Sequence, residues 1–153
     1  DGGYQVAFMV PTEILAKQHF TTISYFLTGR TKSALLINSV KKKKRVELYE
    51  QIENGEIAIV VGTHALVQEG LTFRNLGLVV IDEQHKFGVA QRGLLARKGK
   101  NPDTLIMTAT PIPRTLSMTV YGDLDVSVID ELPKGRQPIA TRCYGEERIE
   151  EVY

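Results

Sequence analysis

The sequence predicts an α/β fold: a parallel sheet with helices on both faces. Three observations predict it. Short apolar runs alternate with helical patterns, the signature of βαβ units. Runs such as Ile57-Ala58-Ile59-Val60-Val61 and Leu78-Val79-Val80-Ile81 do not alternate with polar residues, so neither face of the sheet meets water. The 153 residues, 42% of them hydrophobic, suit one packed domain with little room for a second.

The elements follow in order. Tyr4–Val10 is the first strand, and Thr12 is placed to cap a helix that continues to about Leu27. Ala34–Ile37 is the next strand. Lys41–Glu53 is a helix that Asn54-Gly55 ends. Further strands are expected at Glu56–Val61, Leu76–Ile81, Thr104–Met107 and Val126–Ile129. The segment Asp130–Pro138, with two prolines and a glycine, breaks the pattern and reads as a linker. Beyond it, Ile139–Tyr144 suits a strand and Glu146–Tyr153 a helix. Both ends are expected to be cut, since Asp1-Gly2-Gly3 runs straight into a buried strand and the chain stops inside a predicted helix.

Nineteen basic residues face eighteen acidic ones, so net charge names no partner, but the charges are segregated. From Thr28 to Arg45 there are seven basic residues and no acid; from Lys86 to Pro102 there are five and no acid. Such stretches are compatible with a basic face for phosphates, although each alone is equally a solvated surface. The single cysteine, Cys143, excludes a disulfide framework and a thiolate metal site, which fits a reducing compartment. His19, His64 and His85 lack a ligand spacing such as HExxH, and no apolar run reaches the length of a membrane span. A cytosolic location is expected.

The chemistry concentrates at predicted strand ends. The run Leu76–Ile81 is followed by Asp82-Glu83-Gln84-His85. Ligands of open α/β sheets bind at the carboxyl ends of strands. Two adjacent carboxylates there fit the Walker B role, Asp82 holding magnesium and Glu83 polarising an attacking water. An acidic cap on the next segment is the blander explanation. Three more polar clusters occupy the same topological place: Pro11-Thr12-Glu13, Gly62-Thr63-His64, and Thr108-Ala109-Thr110-Pro111. Each offers a hydroxyl and free backbone N–H groups where phosphates can be held. A lone threonine there is usually a cap; four clusters along one sheet edge describe a site.

These strings resemble a known family. Pro-Thr-Glu-Ile-Leu-Ala, Gly-Thr-His-Ala-Leu, Asp-Glu-Gln-His and Thr-Ala-Thr-Pro-Ile-Pro-Arg look like motifs Ia, Ib, II and III of the superfamily 2 helicases. The longer strings Val80–Val89 and Tyr121–Arg136 are similar to those of the RecG family of bacterial branch-migrating helicases, departing at Lys86, usually arginine, and Lys134, usually proline. Transcription-repair coupling factors share Thr-Ala-Thr-Pro-Ile-Pro-Arg-Thr-Leu but usually lack the Asp-Glu-Gln-His form of the acidic box.

The resemblance implies a RecA-like (P-loop NTPase) sheet, truncated before the P-loop of its first strand, with ATP and Mg2+ as cofactors of the parent. It implies an incomplete first motor domain over 1–130, a linker over 131–138 and the start of a second motor domain over 139–153. By similarity Asp82 is the magnesium carboxylate and Glu83 the catalytic base. Gln84 and His85 sense the γ-phosphate. Thr108, Ala109 and Thr110 couple hydrolysis to movement. Pro11, Thr12, Gly62, Thr63 and His64 meet the DNA backbone. Implied partners are branched double-stranded DNA and the rest of the helicase: the P-loop segment, second motor domain and wedge domain. The implied setting is the bacterial cytoplasm, at the nucleoid. No G-x-x-x-x-G-K-[ST] string occurs in the 153 residues, so this stretch alone is expected to lack ATPase activity and to self-associate through an exposed sheet edge. Two other classes were open. A phosphoacceptor domain needs an acidic pair after the first strand, where Val10-Pro11-Thr12 stands. A plain DNA-binding module has no use for Asp-Glu at a buried strand end.

Overall fold

The computed structural model describes residues 2–27, 29–87 and 89–109 (the side chains of 89–92 excepted), with 125–131, Gly135 and Thr141. The chain divides into two compact units, Asp1–Pro111 and Ile112–Tyr153. All the regular elements described lie in the first. They are β1 (Gln5–Met9), α1 (Glu13–Phe26), β2 (Ser33–Leu36), α2 (Lys42–Glu53), β3 (Ile59–Gly62), β4 (Leu76–Ile81), α3 (Val89–Ala96) and β5 (Asp103–Ile106). Single 3-10 turns stand at His64–Val67 and Gln84–Lys86.

The strands lie in the order β2-β3-β1-β4-β5, and every pairing is parallel. The chain steps outward from β1 to β2, returns through β3, then crosses to β4 on the other side of β1. The carboxyl ends of β3, β1 and β4 therefore meet near the middle of one edge, the usual place for a ligand in such sheets.

Both sheet faces are covered, as the unbroken apolar runs require. Residues alternate between faces along β1. Ala7 and Met9 join Leu36, Val60, Val79 and Ile81 against Ile52 of α2, Leu66, and Leu95 of α3. Val10, with partly buried Phe8, joins Val61 and Ile37 against the stripe Leu15, Ala16, Phe20 and Ile23 of α1. Met9, Leu36, Ile52, Leu66, Ile81 and Leu95 are fully enclosed. Each such side chain contributes about 1.5–3 kcal/mol of hydrophobic stabilisation.

Two polar details fix the register. Gln5 is buried in β1, where its Nε2 donates to the carbonyls of Ile52 and Ile57 at 2.8 Å each. Its Oε1 accepts from Asn75 N–H at 3.0 Å, so no polar atom of this buried amide is left unmet. At Gly62 any side chain would run into the carbonyl oxygen of Leu36 on β2.

Most expected elements form with ends shifted by one residue. β3 is the exception: it begins at Ile59 rather than Glu56. Ile57 is buried from a loop position, which an apolar run cannot distinguish from a strand. Val126–Ile129 forms no strand. Its apolar side chains are exposed, Ile129 at 94%, and no described strand pairs with its backbone. The expected first-domain end at 130 falls within the second compact unit. The expected strand 139–144 falls outside the described residues apart from Thr141, which stands in no regular element. The expected helix 146–153 falls wholly outside them, as does most of the expected linker.

Candidate functional site

The acidic pair sits where β4 runs out. Asp82 N–H still donates to Met9 carbonyl at 3.0 Å, so the sheet holds Asp82 in place. The next residue, Glu83, has φ 52° and ψ 48°, the left-handed region. For a residue with a side chain this costs roughly 1–2 kcal/mol. Backbone strain of this kind clusters at functional sites. It turns the chain off the sheet into the Gln84–Lys86 turn.

Both oxygens of Asp82 are engaged. Oδ1 accepts from Glu83 N–H at 2.9 Å, and Oδ2 lies 3.1 Å from Nε2 of His19 on α1. An ionised carboxylate can only accept, so Nε2 carries the proton. Asp82 is 21% exposed and His19 32%. The His19 ring lies against Phe8 of β1, centroids 4.8 Å apart.

Beside this pair, two buried oxygens are left over. Glu83 Oε2 has His85 Nδ1 at 3.3 Å, but the alignment does not make a hydrogen bond. Gln84 is 4% exposed and its Oε1 has no hydrogen-bond partner among the described residues. An unmet buried acceptor costs about 1–3 kcal/mol, and a bound water or phosphate-linked hydroxyl relieves it. Gln84 N–H reaches Met107 carbonyl at a long 3.4 Å, tying the acidic turn to the end of β5. Thr108 follows, half-buried, then exposed Ala109; Thr110 lies outside the described residues.

The donor set fits magnesium. Among the described residues no group of three or more His, Cys, Asp or Glu side chains could hold a metal. Magnesium needs only one or two carboxylates when water and substrate phosphates complete its octahedron, and Asp82 is one such hard, oriented donor.

The other clusters line the same edge. Thr12 caps α1, its Oγ1 accepting from Leu15 N–H at 3.3 Å; Thr12 is exposed and Pro11 half-buried. Glu13 accepts from Ser39 N–H at 3.1 Å and from its hydroxyl at 2.9 Å. The Ser39 hydroxyl, first among the causes, holds the Glu13 carboxyl below its ordinary range. At the end of β3, Gly62 and the following Thr63 are buried, and His64 is exposed. Thr63 Oγ1 has no hydrogen-bond partner among the described residues. His64 Nε2 lies 3.0 Å from Asn38 Nδ2. Of the three residues expected to meet DNA here, His64 is the most accessible, while Gly62 and Thr63 are buried beneath it.

Sequence reasoning missed three contributors. Asn38 and Ser39, after β2, stitch the Glu13 and His64 loops together. His19 was set aside for want of a ligand spacing; the signal was its place on the inward stripe of α1, between Ala16 and Phe20. The basic runs also divide. Arg45 donates to the carbonyls of Ile37 and Asn38 and to Gln68 Oε1, within 3.2 Å. Lys98 Nζ donates to the carbonyls of Gln68 and Leu71, and burial lowers its pKa. Both are anchors, whereas Lys41–Lys44 remain exposed at the start of α2.

An all-parallel sheet with a strained acidic pair at its central carboxyl edge defines a RecA-like helicase domain. The chain belongs to the DEAD/DEAH box helicase family, which it matches over residues 1–119. It is 54% identical over 150 residues to the ATP-dependent DNA helicase RecG of Streptococcus pneumoniae, covering 98% of this chain and 22% of that one. Identity to RecG of Aquifex aeolicus is 53% over 154 residues, 99% of this chain and 19% of the relative. A solved structure of RecG bound to a three-way DNA junction superposes with a TM-score of 0.79 at 47% identity, covering 98% of this chain and 20% of that one. The chain thus spans about a fifth of the length of the relatives it matches. No described helix is long and apolar enough to cross a membrane.

Proposed function

We propose that these residues form the magnesium-and-water side of the first motor domain in a RecG-like, ATP-dependent DNA helicase that remodels branched DNA. The observation that carries this reading is the acidic turn. Asp82 is held by hydrogen bonds to both oxygens, and Glu83 beside it keeps a buried carboxylate oxygen with no hydrogen bond among the described residues, His85 Nδ1 standing 3.3 Å away. Likeness to RecG over nearly the whole chain supports the choice of substrate over that of a transcription-repair coupling factor.

In this reading Asp82 would hold Mg2+, and Glu83 would accept a proton from the water that attacks the γ-phosphate. When bound, the ion neutralises charge on the phosphoryl group being transferred. Gln84 and His85 meet the γ-phosphate side, where the Oε1 of Gln84 is placed to accept from a water rather than from the phosphate itself. Thr108 and Ala109, which follow β5, act with Thr110 to couple hydrolysis to domain movement. Pro11, Thr12, Gly62, Thr63 and His64, backed by Lys41–Lys44, follow the DNA backbone, which supplies affinity without base specificity. Residues 131–138 serve as the linker to a second motor domain. The protein works in the bacterial cytoplasm at the nucleoid.

The test uses the full-length helicase carrying this chain. Glu83→Gln keeps the shape of the side chain but cannot take a proton, so junction-stimulated ATP turnover should fall about 100-fold or more. Nucleotide binding should stay near normal, while Asp82→Asn should weaken the magnesium–nucleotide complex itself. Near-normal turnover in Glu83→Gln would remove Glu83 as the base.

A further inference from the structure

We infer that His19 is a positioning residue for the magnesium carboxylate: its imidazole fixes Asp82 so that the ion meets a preset oxygen geometry. The inference rests on the reading of Asp82 given above and adds a residue on a different element, 63 positions away in sequence.

The geometry supports it in three ways. First, His19 Nε2–H donates to Asp82 Oδ2 at 3.1 Å while Glu83 N–H donates to Oδ1 at 2.9 Å. Held from both sides, the carboxylate cannot rotate without losing a charge-assisted hydrogen bond. Each oxygen still keeps lone-pair capacity for the ion or its water. Second, the imidazole is itself fixed. Its ring packs on Phe8 of β1, tilted by 35°, and its backbone belongs to the α1 stripe that packs on β1 and β3. Phe8 is in register with Val80 on β4, two residues before Asp82. One side chain thus joins α1, β1 and the end of β4. Third, both partners are partly shielded from water, at 32% and 21% exposure, so solvent does not readily replace the bond.

Partners that orient a metal ligand typically matter by about 10–100-fold in metal affinity. A satisfied histidine that merely stitches helix to sheet would change stability and leave metal affinity alone. The two roles are therefore separable.

The experiment compares His19→Gln with His19→Met in the full-length helicase. Gln and Met have similar length and helix propensity, but only Gln carries an N–H at the distance of Nε2. The probe is Mn2+, followed by electron paramagnetic resonance with a non-hydrolysable ATP analogue; thermal unfolding is recorded separately. His19→Met should raise the half-saturating Mn2+ concentration about tenfold or more, with His19→Gln recovering most of the loss. Equal affinity in the two variants overturns the inference, whatever happens to their melting temperatures. Tighter Mn2+ binding in His19→Met also overturns it, by making His19 a competitor of the ion. Asp82→Asn is the control for the underlying reading. If it binds Mn2+ as tightly as the unaltered protein, the metal site itself is misassigned; if it binds weakly while His19→Met does not, only the role of His19 fails.

Discussion

The two flanks of the sheet are built to different standards. On one side of β1, strands β2 and β3 lie between α1 and the α2 side of the core. Ala34, Leu36, Val60 and Val61 are buried, and the loops above them are closed by Ser39–Glu13, Asn38–His64 and Arg45. On the other side, β4 is buried but β5 shows alternating exposure, with Leu105 half exposed. Among the described residues no strand pairs with the outer edge of β5. The strained Glu83, the unmet oxygens of Glu83 and Gln84, and the long bond from Gln84 to Met107 all belong to this second flank. The first flank closes its loops with its own hydrogen bonds, although Thr63 Oγ1 and Arg45 Nε are buried without a hydrogen-bond partner among the described residues. The second carries the chemistry and leaves groups for ligands and neighbouring elements to complete.

The largest expected effect tests whether that completion is needed. The 153-residue chain alone should show no ATP turnover, with or without DNA. Phosphoryl transfer depends on positioning and charge stabilisation, and the sequence has no phosphate-cradling glycine loop. An arginine from a second domain alone is worth about 10³–10⁵ in rate. A phosphate-release assay run beside a Glu83→Gln copy exposes contaminating activity. Turnover that vanishes in the copy would mean that this flank is self-sufficient after all.

A smaller effect probes the finished flank. Gly62→Ala places a methyl group against the Leu36 carbonyl, which belongs to backbone and cannot swing away. The β2–β3 pairing must open locally, and urea unfolding should show a loss of about 2–3 kcal/mol. A loss under about 0.5 kcal/mol would show that β2 shifts freely, and the contrast between the flanks would weaken.

How much of this could be read from the sequence differs between the flanks as well. β4 was legible to the residue, because a fully apolar run ends abruptly in two acids. The cap at Thr12 was legible because its signal is local. β3 was misplaced at its start because Ile57 is buried by its neighbours rather than by a strand. The acidic pair could be read from adjacency and topology alone. The His19–Asp82 contact, the Asn38–Ser39 stitching and the burial of Thr63 could not, since each depends on chain segments brought together by the crossovers. Arg45 and Lys98 looked like free cations for the same reason: nothing local reveals the carbonyls they bind.

The smallest effect on stability concerns the open edge, where we expect the isolated chain to self-associate. An edge strand presents unpaired N–H and C=O groups that can pair with another chain, and proteins commonly blunt such edges with charge. Here β5 reads Asp103-Thr104-Leu105-Ile106, so the only charge stands at its start. Leu105 is half exposed and Ile106 half-buried, leaving apolar surface beside a backbone edge that no described strand pairs with. Sedimentation velocity at rising concentration should show a growing dimer or higher species. Leu105→Lys should push that association to higher concentration while altering folding stability by no more than about 0.5 kcal/mol, as is usual at exposed positions. The lysine adds no clash; it only makes burial of the edge against another copy cost the desolvation of a charge. If the unaltered chain remains monomeric throughout, the β5 edge is already covered by another part of the chain, and the second flank is more complete than its described residues indicate. If both proteins associate equally, the contact lies elsewhere, and the exposed apolar face of α1 at Ile14, Tyr25 and Phe26 becomes the surface to mutate.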